Sequence, residues 1–249
     1  MTGSVRFSII IPVLNESAII NTCLSSLARL EAKGPVELIV VDGSPTQDTL
    51  RAITDTTVKK YASPQGRGRQ MNEGAAHATG DILVFVHADT LLPINALSLI
   101  QTALEHTQYV GGAFSHQFQV QTPYFKMLSA LATLRSQITQ APYGDQVHFL
   151  RKTSFDAIGG YKDIPLMEDV ELMRRIKKKK WKIVILPDHI ITSARRWEQE
   201  GYVYTSIRDT AIIFLHWCGV PAEKFVRFYP NQKPGRYEDL EQCVHHPNR

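Results

Sequence analysis

Cysteine is scarce in this chain, with three in 249 residues. Cys23, Cys218 and Cys243 stand far apart without C-x-x-C spacing. That spacing argues against a disulfide framework and a thiolate zinc site, and it makes a reducing cytoplasm the expected compartment. Long hydrophobic runs are missing too. The apolar run over 7–14 follows Arg6, ends at Asn15-Glu16 and is too short for a secretory signal. The run over 211–220 contains His216 and is about half of what a membrane span needs. Neither sign of charge dominates, with 28 Lys and Arg against 24 Asp and Glu. This small excess suits an anionic substrate, a nucleic acid or an acidic membrane surface and does not choose among them. Repeats and low-complexity segments are also absent.

What the first half does contain is alternation. Residues 7–13 are β-branched and apolar on both faces, the pattern of a buried strand. Residues 16–30 then place Ile19, Ile20, Cys23, Leu24 and Leu27 at helical spacing. Further strands are predicted over 37–41, 58–61 and 82–86, with helices over 46–53, 69–78 and 94–104. Such alternation predicts an α/β fold, a mostly parallel central sheet with helices on both faces. The second half is less regular. Strands are expected over 112–120, 147–151 and 182–186, and helices over 124–138, 153–158, 168–179 and 202–216. A polar tail of 231–249 is expected to be loosely held.

In parallel sheets, ligands bind beyond the carboxyl ends of the strands. Polar clusters stand at those ends: Asn15-Glu16, then Asp42-Gly43-Ser44, then His87-Ala88-Asp89. Asp42 suits a base or ribose contact, or equally a turn. Asp89 suits a hard divalent cation completed by phosphate oxygens, or a cap on the following helix. Arg67 and Arg69, in Gly-Arg-Gly-Arg at a helix start, form either an anion site or a solvated basic loop. Asn72 and Gly74 suit close packing near a ligand. Glu168-Asp169 open a helix, where acids are favoured by the dipole; as chemistry they offer a general base. The basic run 174–180 reads first as a solvated helix end and second as a site of attraction to anionic lipid. Arg195-Arg196-Trp197 offers a phosphate grip and a ring to stack on, or a core tryptophan.

Each of these signals is ambiguous singly, but their order is specific. Ile-Ile-Ile-Pro-Val-Leu-Asn-Glu (9–16), Val-Val-Asp-Gly-Ser-Pro-Thr-Gln-Asp-Thr (40–49), Gly-Arg-Gly-Arg-Gln-Met-Asn-Glu-Gly-Ala (66–75) and Ala-Thr-Gly-Asp-Ile-Leu-Val-Phe-Val-His-Ala-Asp (78–89) follow one another. Gly-Asp-Gln (144–146), Gly-Gly-Tyr (159–161), Glu-Asp (168–169) and Arg-Arg-Trp (195–197) come after. Over residues 6–200 the chain resembles a family 2 glycosyltransferase of the GT-A (Rossmann-like) fold, which transfers a sugar from a nucleoside-diphosphate sugar to an acceptor hydroxyl.

The resemblance implies a single catalytic domain over 1–230, with a nucleotide-binding half over 6–108 and an acceptor half over 109–230. It implies that Pro12, Asn15 and Glu16 line the nucleotide pocket, that Asp42 meets the base and that Arg69 meets the nucleotide. Asp89 matches the second Asp of the family's Asp-x-Asp motif and is expected to hold Mn or Mg with the diphosphate. The first Asp is His87 here. Imidazole suits Mn better than Mg, and contact with sugar or ribose, or support of the loop, are its other expected roles. Asp169 matches the catalytic base of an inverting, metal-assisted transfer. Asp145, Glu168, Arg196 and Trp197 are expected at the acceptor or the diphosphate. Arg196-Trp197 resembles the Gln-x-x-Arg-Trp element of processive members, but position 193 is Ser.

Two other classes compete. A nucleotidyltransferase would carry a Gly-rich activating loop where Pro12 to Glu16 stand. A non-catalytic nucleotide-sugar-binding protein has no need of both Asp89 and Asp169. A nucleic-acid partner is not expected, since the basic run has no interleaved aromatics. The acceptor is open. Phe125, Leu128, Leu131, Ile212, Ile213, Phe214 and Leu215 make 124–138 and 202–220 apolar over much of their surface. Core packing or a homodimer is the first expectation there, and a lipid-like acceptor or peripheral contact with the inner membrane face the second.

Overall fold

Phe-Ser-Ile-Ile-Ile-Pro-Val forms strand β1 (Phe7–Val13), and every one of its residues is buried. A strand buried on both faces needs helices on both sides. The computed structural model describes residues 4–217 together with 220, 224 and 225, and it has that arrangement.

β1 lies between two parallel neighbours, β2 (Val36–Asp42) and β4 (Ile82–Phe85). β3 (Lys59–Ala62) extends the parallel set beyond β2. The other half of the sheet holds β5 (Thr90–Leu91), β6 (Tyr109–Phe118), β7 (Phe149–Arg151) and β8 (Lys182–Thr192). The order is β3-β2-β1-β4-β7-β6-β8-β5. β6 and β8 are parallel. β7 runs antiparallel to β4 and β6, and β5 antiparallel to β8. The sheet is thus mostly parallel, and its antiparallel insertions fall where the sequence pattern is least regular.

The helices are α1 (Ile20–Leu27), α2 (Asp48–Ala52), α3 (Arg67–His77), α4 (Ala96–Glu105), α5 (Pro123–Thr139), α6 (Lys152–Ile158), α7 (Glu168–Lys178), α8 (Arg195–Glu200) and α9 (Tyr202–Trp217). Side-chain alternation along β1 feeds two cores. Ile9 and Ile11 pack with Cys23 and Leu24 of α1 and with Leu97 and Ile100 of α4. Ile10 packs on the opposite face with Met71 and Ala75 of α3 and with Leu172, Met173 and Ile176 of α7. Gly74 belongs to this second seam. A Cβ there would lie 2.4 Å from Ile10 Cγ2, so glycine is what lets α3 lie against β1.

Three differences from the sequence reading have physical causes. α1 starts at Ile20, not residue 16, because the amides of Ile19 and Ile20 both donate to the Glu16 carbonyl and close a turn first. Asn15 enters that turn in the left-handed region at φ 59°, which asparagine tolerates. β8 continues to Thr192 although Pro187 interrupts its apolar run. The register with β6 jumps from Phe114–Leu186 to Ser115–His189, and the bulge leaves Pro187 exposed, where it need not donate to the ladder. α8 is six residues long, too short for a periodic signal. Cys23 is a buried free thiol whose pKa burial pushes up to about 12. Cys218, Cys243 and the tail 231–249 lie outside the described residues. No helix among the described residues is long and apolar enough to cross a membrane.

Candidate active site

The polar loops after β1, β2 and β4 meet at one edge of the sheet, because parallel pairing sets Val13 opposite Asp42 and Ile10 opposite Phe85. Gln70, on the first turn of α3, ties two of these loops together. Its Nε2 donates to the carbonyl of Val13 at 2.7 Å and to that of Val41 at 2.9 Å. A Cβ at Gly43 would come within 2.9 Å of the same amide. Sequence reasoning quoted Gln70 inside a motif but gave it no role. Gln70→Ala would remove two hydrogen bonds, although the Val13 carbonyl keeps the Gly43 amide at 3.0 Å, and unfolding in urea is expected to show a loss of about 1–3 kcal/mol. A change under about 0.5 kcal/mol would remove Gln70 from that role.

Asp42 is fully buried. Its Oδ1 accepts from the Ser44 amide at 2.8 Å, and its Oδ2 has no hydrogen-bond partner among the described residues. A buried carboxylate oxygen without a donor is costly unless something supplies one. Pro12 is buried within β1, Asn15 is exposed and Glu16 is half-buried. The Gly-Arg-Gly-Arg pair divides. Arg69 is turned out and held by Asp163 through Nε at 2.6 Å and a terminal nitrogen at 2.7 Å. Arg67 is the one that lines the cavity, with its Nε 2.9 Å from Glu168.

That cavity has a volume of about 340 Å³ and is bordered by His87, Asp89, Asp145, Asp169, Arg196 and Trp197. Six residues named from four motifs therefore converge, while Pro12, Asn15, Glu16, Asp42, Arg69 and Glu168 lie outside its lining. Asp169, in the first turn of α7, accepts from the Gly144 amide at 2.6 Å and from the Val170 amide at 2.7 Å. Gly144 is held there by Gln146. The Gln146 side chain donates to the Phe114 carbonyl at 3.0 Å and accepts from Ser136 Oγ at 2.5 Å and the Tyr143 amide at 3.2 Å. This latch leaves Asp145 half exposed on the cavity rim, 3.8 Å from His116 Nε2. Glu168 is buried behind Asp169, and burial raises its pKa against the pull of Arg67. Burial, then the Arg67 charge, lower the pKa of His87, so its ring is neutral at neutral pH.

Trp197 meets Phe118 edge to face at 4.7 Å between centroids, and its Nε1 donates to Ser206 at 3.2 Å. It is both a core residue and part of the wall. Arg196 lies over the Trp197 ring at 4.7 Å and pairs with Asp209 at 2.7 Å. Arg195, read from the sequence as part of a phosphate grip with Arg196 and Trp197, lines the cavity but is buried, and its terminal nitrogen lies 3.1 Å from Glu16 and 3.5 Å from Asp89. It links the loops after β1 and β4 to α8. Among the described residues no group of three or more His, Cys, Asp or Glu could cage a metal. Asp89 instead offers one partly exposed carboxylate, the donor set of a hard cation completed by phosphate oxygens.

Comparisons with known proteins agree with this geometry. The family model for Glycosyl transferase family 2 matches residues 8–162. Over 93 residues the chain is 39% identical to a PGL/p-HBAD biosynthesis glycosyltransferase of Mycobacterium tuberculosis, covering 34% of this chain and 36% of that protein. Over 95 residues it is 34% identical to a glucosyl-3-phosphoglycerate synthase of the same organism, covering 34% and 29%. The chain thus spans about a third of the length of the curated relatives it matches. A mannosyltransferase of Pyrobaculum calidifontis, solved with GDP-Man and Mn2+, superposes with a TM-score of 0.61 at 19% identity over 99% of this chain and 70% of that one. The solved glucosyl-3-phosphoglycerate synthase of M. tuberculosis, with Mn2+, UDP and glucosyl-3-phosphoglycerate, gives 0.58 at 18% identity over 87% and 81%. At such identities these likenesses establish the GT-A fold. Together with the match over 8–162, they make this chain a member of glycosyl transferase family 2.

Proposed function

We propose that the protein transfers a sugar from a nucleoside-diphosphate sugar to an acceptor hydroxyl, with inversion, in a single catalytic domain over 1–230. The observation that carries this reading is the convergence of Asp89, Asp145, Asp169, Arg196 and Trp197 on one cavity. Asp42 receives the base or ribose, a role supported by its unpartnered buried Oδ2. Asp169 takes the proton of the acceptor hydroxyl as that oxygen attacks the anomeric carbon. The bond from the anomeric carbon to the phosphate oxygen breaks, and its electron pair leaves with the nucleoside diphosphate. The two amides on Asp169 fix its carboxylate while its other lone pairs face the acceptor. Arg67 and Arg196 bring positive charge to the departing diphosphate. Asp89 would hold a divalent cation, Mn or Mg, which when bound supplies Lewis-acid stabilisation of that diphosphate.

A thermal-shift screen of UDP-, GDP- and dTDP-sugars, each with and without Mn2+, tests the donor. A ligand at 100 times its Kd stabilises the fold by about 2.7 kcal/mol. No shift with any nucleotide sugar would overturn the reading. In the same format Asp89→Ala is expected to lose the Mn-dependent part of the donor shift and keep any Mn-independent part. Retention of both parts would remove Asp89 as the metal ligand. The configuration of the new glycosidic bond, read by NMR of the product, checks inversion.

A further inference from the structure

α5 carries three faces. Phe125, Ser129 and Ser136 face the core. Leu128 and Ala132 line the cavity. Met127, Leu131, Leu134 and Ile138 are exposed, between 51% and 73%. Their spacing of four, three and four residues puts all four on one stripe. One residue is about 100° of helix turn, so this stripe lies directly beside the cavity face. α9 repeats the pattern. Thr205, Arg208 and Ile212 are buried, Ser206, Thr210 and Ile213 line the cavity, and Val203 and Ile207 are exposed at 69% and 64%. The two helices are joined where Tyr124 meets Ser206 at 2.6 Å and Phe125 meets Tyr202 ring to ring at 5.3 Å. The exposed apolar stripes are thus continuous with the apolar wall of the cavity. Structure therefore corrects the expectation of core packing for Leu131 and Leu215, which are exposed, and upholds it for Phe125 and Ile212; the side chain of Phe214 lies outside the described residues.

The end of α7 adds charge. Lys177 Nζ donates to the Thr139 carbonyl at 3.3 Å, which sets the basic run against the last turn of α5, next to Ile138. Lys177, Lys178 and Lys180 are exposed and form no ion pair among the described residues. Soluble monomers rarely expose contiguous apolar patches larger than a few hundred Å², and large ones mark sites of interaction. An apolar stripe that ends beside Lys177, with Lys178 and Lys180 exposed in the same run, is complementary to an anionic lipid bilayer.

We infer that the α5–α9 face docks on an anionic phospholipid bilayer and that the acceptor enters the cavity from the lipid side, as an amphiphile whose hydroxyl reaches Asp169. The acceptor clause rests on the transferase reading; the docking clause does not. Apolar side chains of α5 sink into the boundary between headgroups and acyl chains, and the lysines meet lipid phosphates. Leu128, Ala132 and Ile213 then give the acceptor's apolar part a wall that runs from membrane to cavity.

The test uses the full chain and sedimentation with sucrose-loaded vesicles, of phosphatidylcholine alone or mixed equally with phosphatidylglycerol. Partition onto the mixed vesicles is expected to exceed that onto phosphatidylcholine at least tenfold and to fall with salt. Each lysine near an anionic surface is worth about a factor of five, so Lys177→Glu with Lys178→Glu is expected to cost about 25-fold or more. Leu131→Glu with Leu134→Glu is expected to cost at least tenfold. All four positions are exposed and outside the cavity, so donor binding by thermal shift is expected to be unchanged in both variants. Absence of vesicle binding, or binding unaffected by either variant, overturns the proposal. So does a leucine variant that turns a dimer into a monomer in ultracentrifugation without altering partition, since the face would then join two copies of the chain. Donor binding is read separately, so a failed transferase reading leaves the vesicle result interpretable.

Discussion

Asp169→Asn is expected to lower kcat by about 10²–10⁴-fold, the usual contribution of a positioned general base, while donor affinity changes by less than about threefold. The amide has nearly the shape of the carboxylate but no lone pair basic enough to take the acceptor's proton. The substitution has a structural side as well. Both carboxylate oxygens accept from backbone amides, Gly144 on one and Val170 on the other. An asparagine offers one oxygen, so one of these amides would face an NH2 group. That mismatch is expected to cost about 1–3 kcal/mol of stability, seen in urea unfolding and separable from catalysis. Donor binding by calorimetry and single-turnover product formation at saturating donor make the distinction. A kcat within threefold of the unsubstituted protein would end the assignment of Asp169 as base. A loss of donor binding equal to the loss of turnover would instead assign it to the donor.

How much of this site could be read in the sequence depends on what kind of information places each residue. Asp42 and Asp89 follow buried apolar strands, and the rule that ligands meet strand carboxyl ends locates them without coordinates. Asp169 was legible only through the order of motifs, because an acid in the first turn of α7 is equally well explained by the helix dipole. Arg67 and Arg69 are equivalent in sequence. What separates them is Asp163, 94 residues further on, which captures Arg69 and leaves Arg67 to the cavity. Gln70 and Gln146 escaped because their work is to hold backbone groups from distant segments, and no local pattern encodes a partner. The fold was more legible than the site. Periodicity marks the strands of the parallel half, most clearly β1 and β4, which are buried on both faces, and least clearly the half-buried edge strand β3. It fails at β8 past Pro187, where a bulge absorbs the break, and at α8, where six residues are fixed by tertiary contacts and not by their own pattern.

Arg195 shows what such tertiary placement does energetically. Its side chain is 7% exposed, and its two carboxylate partners, Glu16 and Asp89, are 14% and 27% exposed. Replacing it by methionine keeps apolar contact and removes the charge together with its hydrogen bonds to Glu16 and Asp89. Glu16 and Asp89 would then share a half-buried site without the cation between them. Removing one partner of a buried ion pair costs about 3–5 kcal/mol. Partial exposure of both acids lets water offset some of that, so a loss of about 2–3 kcal/mol is expected for Arg195→Met in urea unfolding without divalent cations. The same change is expected to raise the attraction of the site for a divalent cation before any donor is present. In the unsubstituted protein Mn2+ must compete with the Arg195 guanidinium for Asp89, and without diphosphate oxygens it has few other donors. Mn2+ alone should therefore shift the melting temperature little in the unsubstituted protein and restore part of the lost stability in Arg195→Met. If the variant unfolds within about 0.5 kcal/mol of the parent, the Glu16–Arg195–Asp89 contact adds nothing to the fold. If Mn2+ stabilises parent and variant equally, the guanidinium does not compete for Asp89, and the arginine serves the loops after β1 and β4 alone.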